Sequence, residues 1–345
     1  MRKIFAVLCA LVPVALGGSV APASPLAGPA ERVAAVSLAP PGSPNDGHLA
    51  LKAALDRQLS SEDAAADSSL PGQRHPWRIP RSSTDRPDEK AGRLLHIVYV
   101  LPAGAPDDQY DEKGIIDDSM RAMNAWTRQQ TGNQKQWRLD TFTFEWDDPD
   151  TTQIENIRVN AVDVTFIRSN RLDDQLDSVS EVEGELVGRG LNKSNKRYLS
   201  FVASNAGGVC GDAWWSYVPT QDDFDGQYSD VYLYSSSGCR ARDWAPNATT
   251  PAYTESIAMQ EMIHNDGIVP PGAPHGCGPT SLPAHVCNPA LILTPELDPE
   301  YTDVMYPFVG LPLSQKVIDD DNLDYYGTPY PGIRDLDQGL YLENV

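Results

Sequence analysis

The residues whose types and spacing best fit catalysis lie in one short segment of the C-terminal half. The sequence predicts a helix over residues 254–264, and Gly267 suits a left-handed turn that ends it. Gln260 and His264 are four residues apart, so they share one helical face, and Glu261 lies beside them. In the helical pattern His-Glu-x-x-His, the two histidines hold a zinc ion and the glutamate is the general base. This segment keeps the glutamate and the second histidine, but Gln260 stands in the place of the first.

Further candidate ligands follow the helix closely. Three of the six histidines of the chain, His264, His275 and His285, fall in one segment, and such clustering predicts a metal site. The alternative for His275 and His285 is that they are ordinary loop residues. An amide oxygen binds zinc more weakly than an imidazole does and is better suited to calcium or magnesium. Two arrangements would replace the missing histidine: Gln260 binding through its oxygen, or His285 entering as a substitute ligand.

The order of the motifs carries a resemblance. Glu-x-x-His-Asn-x-Gly, Ala-Pro-His, Asp-Val-Met-Tyr and Asp-Tyr-Tyr-Gly occur in that order within residues 93–328. This order resembles secreted bacterial metzincin-like zinc metallopeptidases. The resemblance implies a metzincin-like fold with the metal helix at the floor of a cleft. It also implies Glu261 as general base, His264 and His275 as metal ligands, and Met305 as the Met-turn residue beneath the metal. The pattern departs from the family at the first metal-binding histidine, which is glutamine here.

The elements that must position these residues are predicted from hydrophobic periodicity. Alternating and continuous apolar runs predict strands, and apolar residues at helical spacing predict helices. Helices alternating with strands indicate an α/β (α+β) fold around a mixed sheet. His96 falls within the first strand and is interpreted as a core histidine. The predicted strands are 94–100, 137–146, 162–167, 197–203 and 231–234, and the predicted helices are 48–59, 114–130, 171–187 and 254–264.

The N-terminal region predicts export. Residues 1–23 have a basic start, an apolar stretch and an Ala-x-Ala cleavage site, which indicate a signal peptide; a short membrane anchor is the alternative. Residues 24–92 are rich in Ala, Pro and Ser and are assigned to a propeptide or linker. Residues 93–345 form the predicted metallopeptidase-like domain. We therefore expect a secreted, extracellular protein with no transmembrane segment in its mature chain.

The cysteines agree with export to an oxidising compartment. Cys9 lies in the signal peptide, which leaves four cysteines and predicts two disulfides. Three pairings are possible. We favour Cys210–Cys239 and Cys277–Cys287 because each closes a short local loop.

The charge of the chain excludes some partners. The formal net charge is −21, with 48 acidic and 27 basic residues, so nucleic acid and anionic membrane surfaces would be repelled. The acidic runs 222–225 and 319–324 are candidate calcium sites, with solvated loops as the alternative.

Three functions fit the sequence. The first is a secreted zinc metalloendopeptidase that acts on extracellular proteins or peptides, with Glu261 as general base. The second is a catalytically degenerate homologue, a pseudoenzyme that binds an extracellular partner in the former cleft. The third is a surface-binding module in which Trp214, Trp215 and Tyr217 stack on a glycan.

Overall fold

A computed structural model places the ordered elements of the chain. It describes residues 75–147, 156–207, 209–214, 227–235, 239–266, 269, 273–277, 285–287, 302–306, 311–319, 322–329 and 335–345. The predicted signal peptide and the predicted helix at 48–59 lie outside these residues. Among the residues that are described, none belongs to a helix long and apolar enough to cross a bilayer.

The described residues form three α-helices and nine strands. The helices are α1 (Ile115–Gln130), α2 (Val179–Gly188) and α3 (Tyr253–Asn265). The strands are β1 (Leu94–Leu101), β2 (Lys135–Trp137), β3 (Thr141–Asp147), β4 (Asn156–Val162), β5 (Val164–Arg168), β6 (Lys196–Val202), β7 (Gly211–Ala213), β8 (Tyr228–Tyr232) and β9 (Leu342–Asn344).

The main sheet has five strands in the order β5-β1-β6-β8-β7. β5, β1, β6 and β8 run parallel, and the edge strand β7 is antiparallel to β8. Every residue of β1 is buried, as its continuous apolar run predicts for a strand covered on both faces. The predicted mixed α/β class is therefore confirmed.

Alternate side chains of the sheet enter two cores. Ile97 and Val231 belong to the larger core, which also contains buried residues of α1 and α3. Val98 and Val202 belong to the smaller core, together with buried residues of α2. The helix that carries the candidate catalytic residues thus lies on the α1 side of the sheet.

Several predicted elements differ from the observed ones. The predicted strand 231–234 is observed as β8, Tyr228–Tyr232, and the predicted strand 162–167 covers the end of β4 and most of β5. The predicted strand 137–146 is two strands, because β2 pairs with β9 near the C-terminus whereas β3 pairs with β4. The predicted helix 171–187 begins only at Val179, after a short 3-10 turn at Asp173–Gln175. The turn allows Leu176 to enter the smaller core, where it is fully buried.

Residues 75–92, which we name the N-terminal strap, pack onto the domain although their composition is that of a linker. Ile79 is buried in a small cluster with Phe142 and Ala161. Arg81 lies 2.6 Å from a carboxylate oxygen of Asp107 and 2.6 Å from one of Asp111. The packed unit therefore extends N-terminal to residue 93.

The strap also supplies charge to the sheet. The ammonium group of the buried Lys196 on β6 lies 2.7 Å from Asp85 and 2.7 Å from Asp88, both in the strap. Its third carboxylate partner is Asp140, which also bonds to Nδ1 of His96 at 2.8 Å. His96 is fully buried, as predicted for a core histidine.

Removing the strap should destabilise the domain. A chain that begins at residue 93 loses the burial of Ile79 and leaves Lys196 with one of its three carboxylates. Breaking a buried ion pair costs about 3–5 kcal/mol, so we expect the free energy of unfolding in urea to fall by at least that amount, or no cooperative transition. A chain that begins at residue 75 is the control and should unfold like the full chain. Equal midpoints for the two shortened chains would contradict this role of the strap.

Candidate functional site

The helix α3 carries Gln260, Glu261 and His264 and extends the predicted helix by one residue at each end. It is buried along its length and packs against β8, β7 and α1. Every side chain on it therefore sits in an environment set by its neighbours rather than by solvent.

Both ends of α3 are fixed by buried carboxylates. Near its start, the carboxylate of Glu255 accepts a hydrogen bond from the hydroxyl of Ser119 on α1. Burial raises the pKa of Glu255 to about 7, although this hydrogen bond favours the ionised form. At its end, the fully buried Asp266 pairs with Arg197 on β6, whose guanidinium lies 4.2 Å from the ring centre of Tyr341. The helix is thus held to two different elements.

His264 faces His285 at close range. Their Nε2 atoms are 3.3 Å apart, and the ring planes are inclined at 73°. His264 is 5% exposed, and burial lowers its pKa well below the ordinary value, with a smaller contribution from His285. The neutral imidazole is the form that binds a metal ion.

Glu261 lies on the adjoining edge of the same helix. It is 7% exposed, and burial raises its pKa well above the ordinary value; the negative charges of Asp212 and Asp230 raise it further. Its side chain packs directly on Gly211 of β7. A Cβ atom at Gly211 would lie 2.6 Å from Cγ and 2.8 Å from Oε1 of Glu261 and 2.9 Å from the backbone oxygen of Asp230, so a larger residue would force one of these groups to move.

Gln260 is 3% exposed and precedes His264 by four residues on α3. Its helical position is the one that the pattern assigns to a first metal ligand. Gln260 therefore lies on a buried part of the helix, one turn before His264.

Both predicted disulfides are present. Cys210–Cys239 has a Cα–Cα distance of 5.3 Å and holds the start of β7. Cys277–Cys287 has a Cα–Cα distance of 4.5 Å. Bonds of this kind form and persist in oxidising compartments, in agreement with the predicted export.

The second disulfide closes a small unit that we name the histidine clip, residues 275–277 and 285–287. Its two arms are joined by an antiparallel bridge between Gly276 and Val286. The amide of Cys277 donates to the carbonyl of His285 at 2.9 Å, and the amide of Cys287 donates to the carbonyl of His275 at 2.6 Å. The clip therefore carries both downstream histidines in a fixed relation.

The two clip histidines have different neighbours. His285 faces His264, whereas His275 bonds through Nδ1 to a carboxylate oxygen of Asp324 at 3.0 Å. Two sets of three or more histidine or acidic side chains bring their ligand atoms within 4.8 Å of one another in the described part of the chain, and neither includes His264, His275 or His285. The structure thus brings His285, rather than His275, to His264.

Met305 lies next to the clip and is fully buried. Its carbonyl accepts a hydrogen bond from the amide of Val286 at 3.0 Å, and its amide donates to Asp303 at 2.6 Å. Burial raises the pKa of Asp303 to about 8. Met305 is therefore bonded through its backbone to Val286, the residue after His285.

Two sets of clustered side chains were not predicted from the sequence. One is Asp85, His96, Asp140 and Asp163, and the other is His75, Asp117 and Asp118. Cationic side chains already occupy them, since Lys196 and Arg86 pair with the first set and Arg121 pairs with the second. In most of these pairs the basic and the acidic residue are 30 or more positions apart along the chain, so no local sequence pattern predicts the two sets. We interpret both as charge networks.

Of the two predicted calcium sites, one lies outside the described residues, and the carboxylates of the other accept hydrogen bonds from the protein. Run 222–225 and the aromatic residues Trp215 and Tyr217 are not among the described residues. In the run 319–324, the carboxylate of Asp319 accepts the amides of Tyr325 at 2.7 Å and Tyr326 at 2.6 Å. The carboxylate of Asp319 therefore holds the backbone at Tyr325 and Tyr326, and the carboxylate of Asp324 holds His275.

Comparison of the sequence with protein-family models and with curated proteins found no match in either. The resemblance to metzincin-like peptidases consequently stays a prediction.

Glu255 gives α3 a testable dependence on pH. Its pKa is about 7 in the folded state against an ordinary value of 4.5, so the folded state binds the proton more tightly. Stability should therefore fall as pH rises from about 4.5 to about 7. Glu255→Gln stays neutral and lacks this loss. Between pH 4.5 and pH 8, we therefore expect the free energy of unfolding of the parent to fall by about 3 kcal/mol more than that of Glu255→Gln. Urea unfolding at both pH values measures this, and parallel curves would contradict it.

Proposed function

We propose that the protein is a secreted, metzincin-like zinc metallopeptidase that hydrolyses peptide bonds in extracellular proteins or peptides. The observation that carries the proposal is the 3.3 Å separation of the Nε2 atoms of His264 and His285. Two nitrogens bound to one tetrahedral zinc ion, at 2.0–2.1 Å each, lie about 3.4 Å apart. The two nitrogens therefore fit zinc, and Gln260, four residues before His264 on the same helix, would supply the third protein ligand through its amide oxygen.

A zinc ion bound there supplies Lewis-acid polarisation of the scissile carbonyl and lowers the pKa of water. Glu261 takes the proton of the attacking water and passes it to the leaving amine. Burial and the charges of Asp212 and Asp230 favour its neutral form, whereas a cation beside it favours the carboxylate that a base requires. Gly211 supports this role, because it lets the carboxylate lie against the edge strand.

The assignment of ligands differs from the one that the resemblance implies. His285 replaces His275 as the partner of His264, since His285 faces it whereas His275 is bonded to Asp324. His285 is thus the substitute ligand that the sequence allows for the histidine missing at Gln260. The site would then hold two imidazoles and one amide in place of three imidazoles.

A second candidate function is supported by Gln260 itself. An amide oxygen is a weak zinc ligand, and losing a histidine should lower the affinity at least about 10-fold. If that loss leaves zinc unbound, the protein is a degenerate homologue that binds a peptide or surface partner in the former cleft.

Metal content and endopeptidase activity of the purified protein separate the two functions. We expect about one zinc per chain in the parent, and tighter zinc binding in Gln260→His. Glu261→Gln should keep its zinc and lose activity about 100-fold or more, because it lacks the base. His285→Ala should lose zinc, whereas the control His75→Ala, at a histidine beside α1, should keep it.

Other results would change the conclusion. A parent without zinc, together with zinc and activity gained in Gln260→His, would establish the degenerate homologue. Absence of zinc from both proteins would remove the metal site. Retention of zinc in His285→Ala would show that His285 is not a zinc ligand and that another residue takes this place.

A further inference from the structure

Asp324 is a buried carboxylate that holds the histidine clip at one arm. It is 2% exposed, and its two oxygens accept from one residue: Oδ1 from the amide of His275 at 2.8 Å and Oδ2 from Nδ1 of the same residue at 3.0 Å. Such a paired contact fixes both the backbone and the ring of His275.

Asp324 is itself held in place. Its amide donates to both carboxylate oxygens of Asp319 at 3.2 Å, and Asp319 also accepts the amide of Tyr325 at 2.7 Å. The hydroxyl of Tyr325 donates to Asp303 at 2.9 Å, and Asp303 accepts the amide of Met305. These bonds form a continuous path from Asp324 to the segment beneath the clip.

The clip transmits the position of one arm to the other. The carbonyl of His275 accepts the amide of Cys287, the carbonyl of His285 accepts the amide of Cys277, and the disulfide joins the two cysteines. A displacement of His275 must therefore move His285, whose Nε2 lies 3.3 Å from that of His264.

We propose that Asp324 is a positioning residue for the metal pair: it anchors His275, and through the disulfide-closed clip it sets His285 against His264. His275 acts in this arrangement as the anchor of the clip and not as a metal ligand. The inference rests on the proposed function for its readout, since zinc binding reports the position of His285. Residues that orient a metal ligand from outside typically change metal affinity 10–100-fold when they are replaced.

A matched pair of substitutions at His275 separates an anchor from a ligand. Asparagine has a side-chain amide N–H near the place of Nδ1, so His275→Asn can still donate to Asp324 while it lacks Nε2. His275→Leu cannot donate. We expect His275→Asn to bind zinc within a few-fold of the parent, and His275→Leu and Asp324→Leu to bind it about 10–100-fold more weakly.

The zinc dissociation constants are measured by competition with a chromophoric chelator, in the parent and again in a Gln260→His background. Melting in the presence of a chelator checks that each variant is folded without metal. The Asn and Leu variants remove the same ring, so a merely structural loss would affect both, whereas the anchor role predicts that only Leu weakens binding.

The possible outcomes separate the anchor role of His275 from the proposed zinc-dependent function. Equal weakening in His275→Asn and His275→Leu would overturn the anchor role, because a ligand role and a purely structural role both predict it. Unchanged binding in both variants would also overturn the anchor role. A parent that binds no zinc, with the expected pattern in the Gln260→His background, would defeat the proposed function and leave the anchor role standing. If that background binds no zinc either, both proposals fall.

Discussion

The close approach of two imidazoles from separate parts of the chain is the interaction on which the rest of the site depends. His264 comes from a buried helix and His285 from a disulfide-closed clip, and their Nε2 atoms lie 3.3 Å apart. Two such nitrogens can share at most one hydrogen bond. Protonating both rings would place two positive charges side by side, which is unfavourable. Two neutral rings at this distance can share that hydrogen bond, whereas under the proposed function a zinc ion would bind both nitrogens instead.

Buried carboxylates hold the elements that carry the two rings. Glu255 and Asp266 fix the two ends of α3 to α1 and β6, and Asp324 fixes the clip through His275. Burying a carboxylate is unfavourable unless it is paired or hydrogen-bonded, and each of these three has such partners. These contacts tie α3 to α1 and β6, and they tie the clip to the segment that carries Asp324.

The parts of the fold that were predictable are those with local signals. The apolar run of β1, the helical spacing of α1 and α3, and two short cysteine spacings each predict a feature that the structure contains. The motif on α3 likewise points to Glu261 and His264 through their spacing alone. These features depend on residues within about 30 positions of one another.

The remaining parts depend on distant partners. The strap looks like a linker because its contribution is a set of ion pairs, such as Asp85 with Lys196, 111 residues away. The pairing of β2 with β9 joins residues more than 200 positions apart. The sequence favours His275 as the ligand and leaves His285 as a substitute. The contacts that distinguish them in the structure are those of His275 with Asp324 and of His285 with His264. A linear pattern does not contain those contacts.

The measurement that tests the central claim most directly is an anomalous difference map from zinc-soaked crystals of the purified protein, recorded at the zinc absorption edge. We predict one strong peak about 2.1 Å from Nε2 of both His264 and His285. A map without a peak between these two rings, or with zinc bound at His275 instead, would contradict the account.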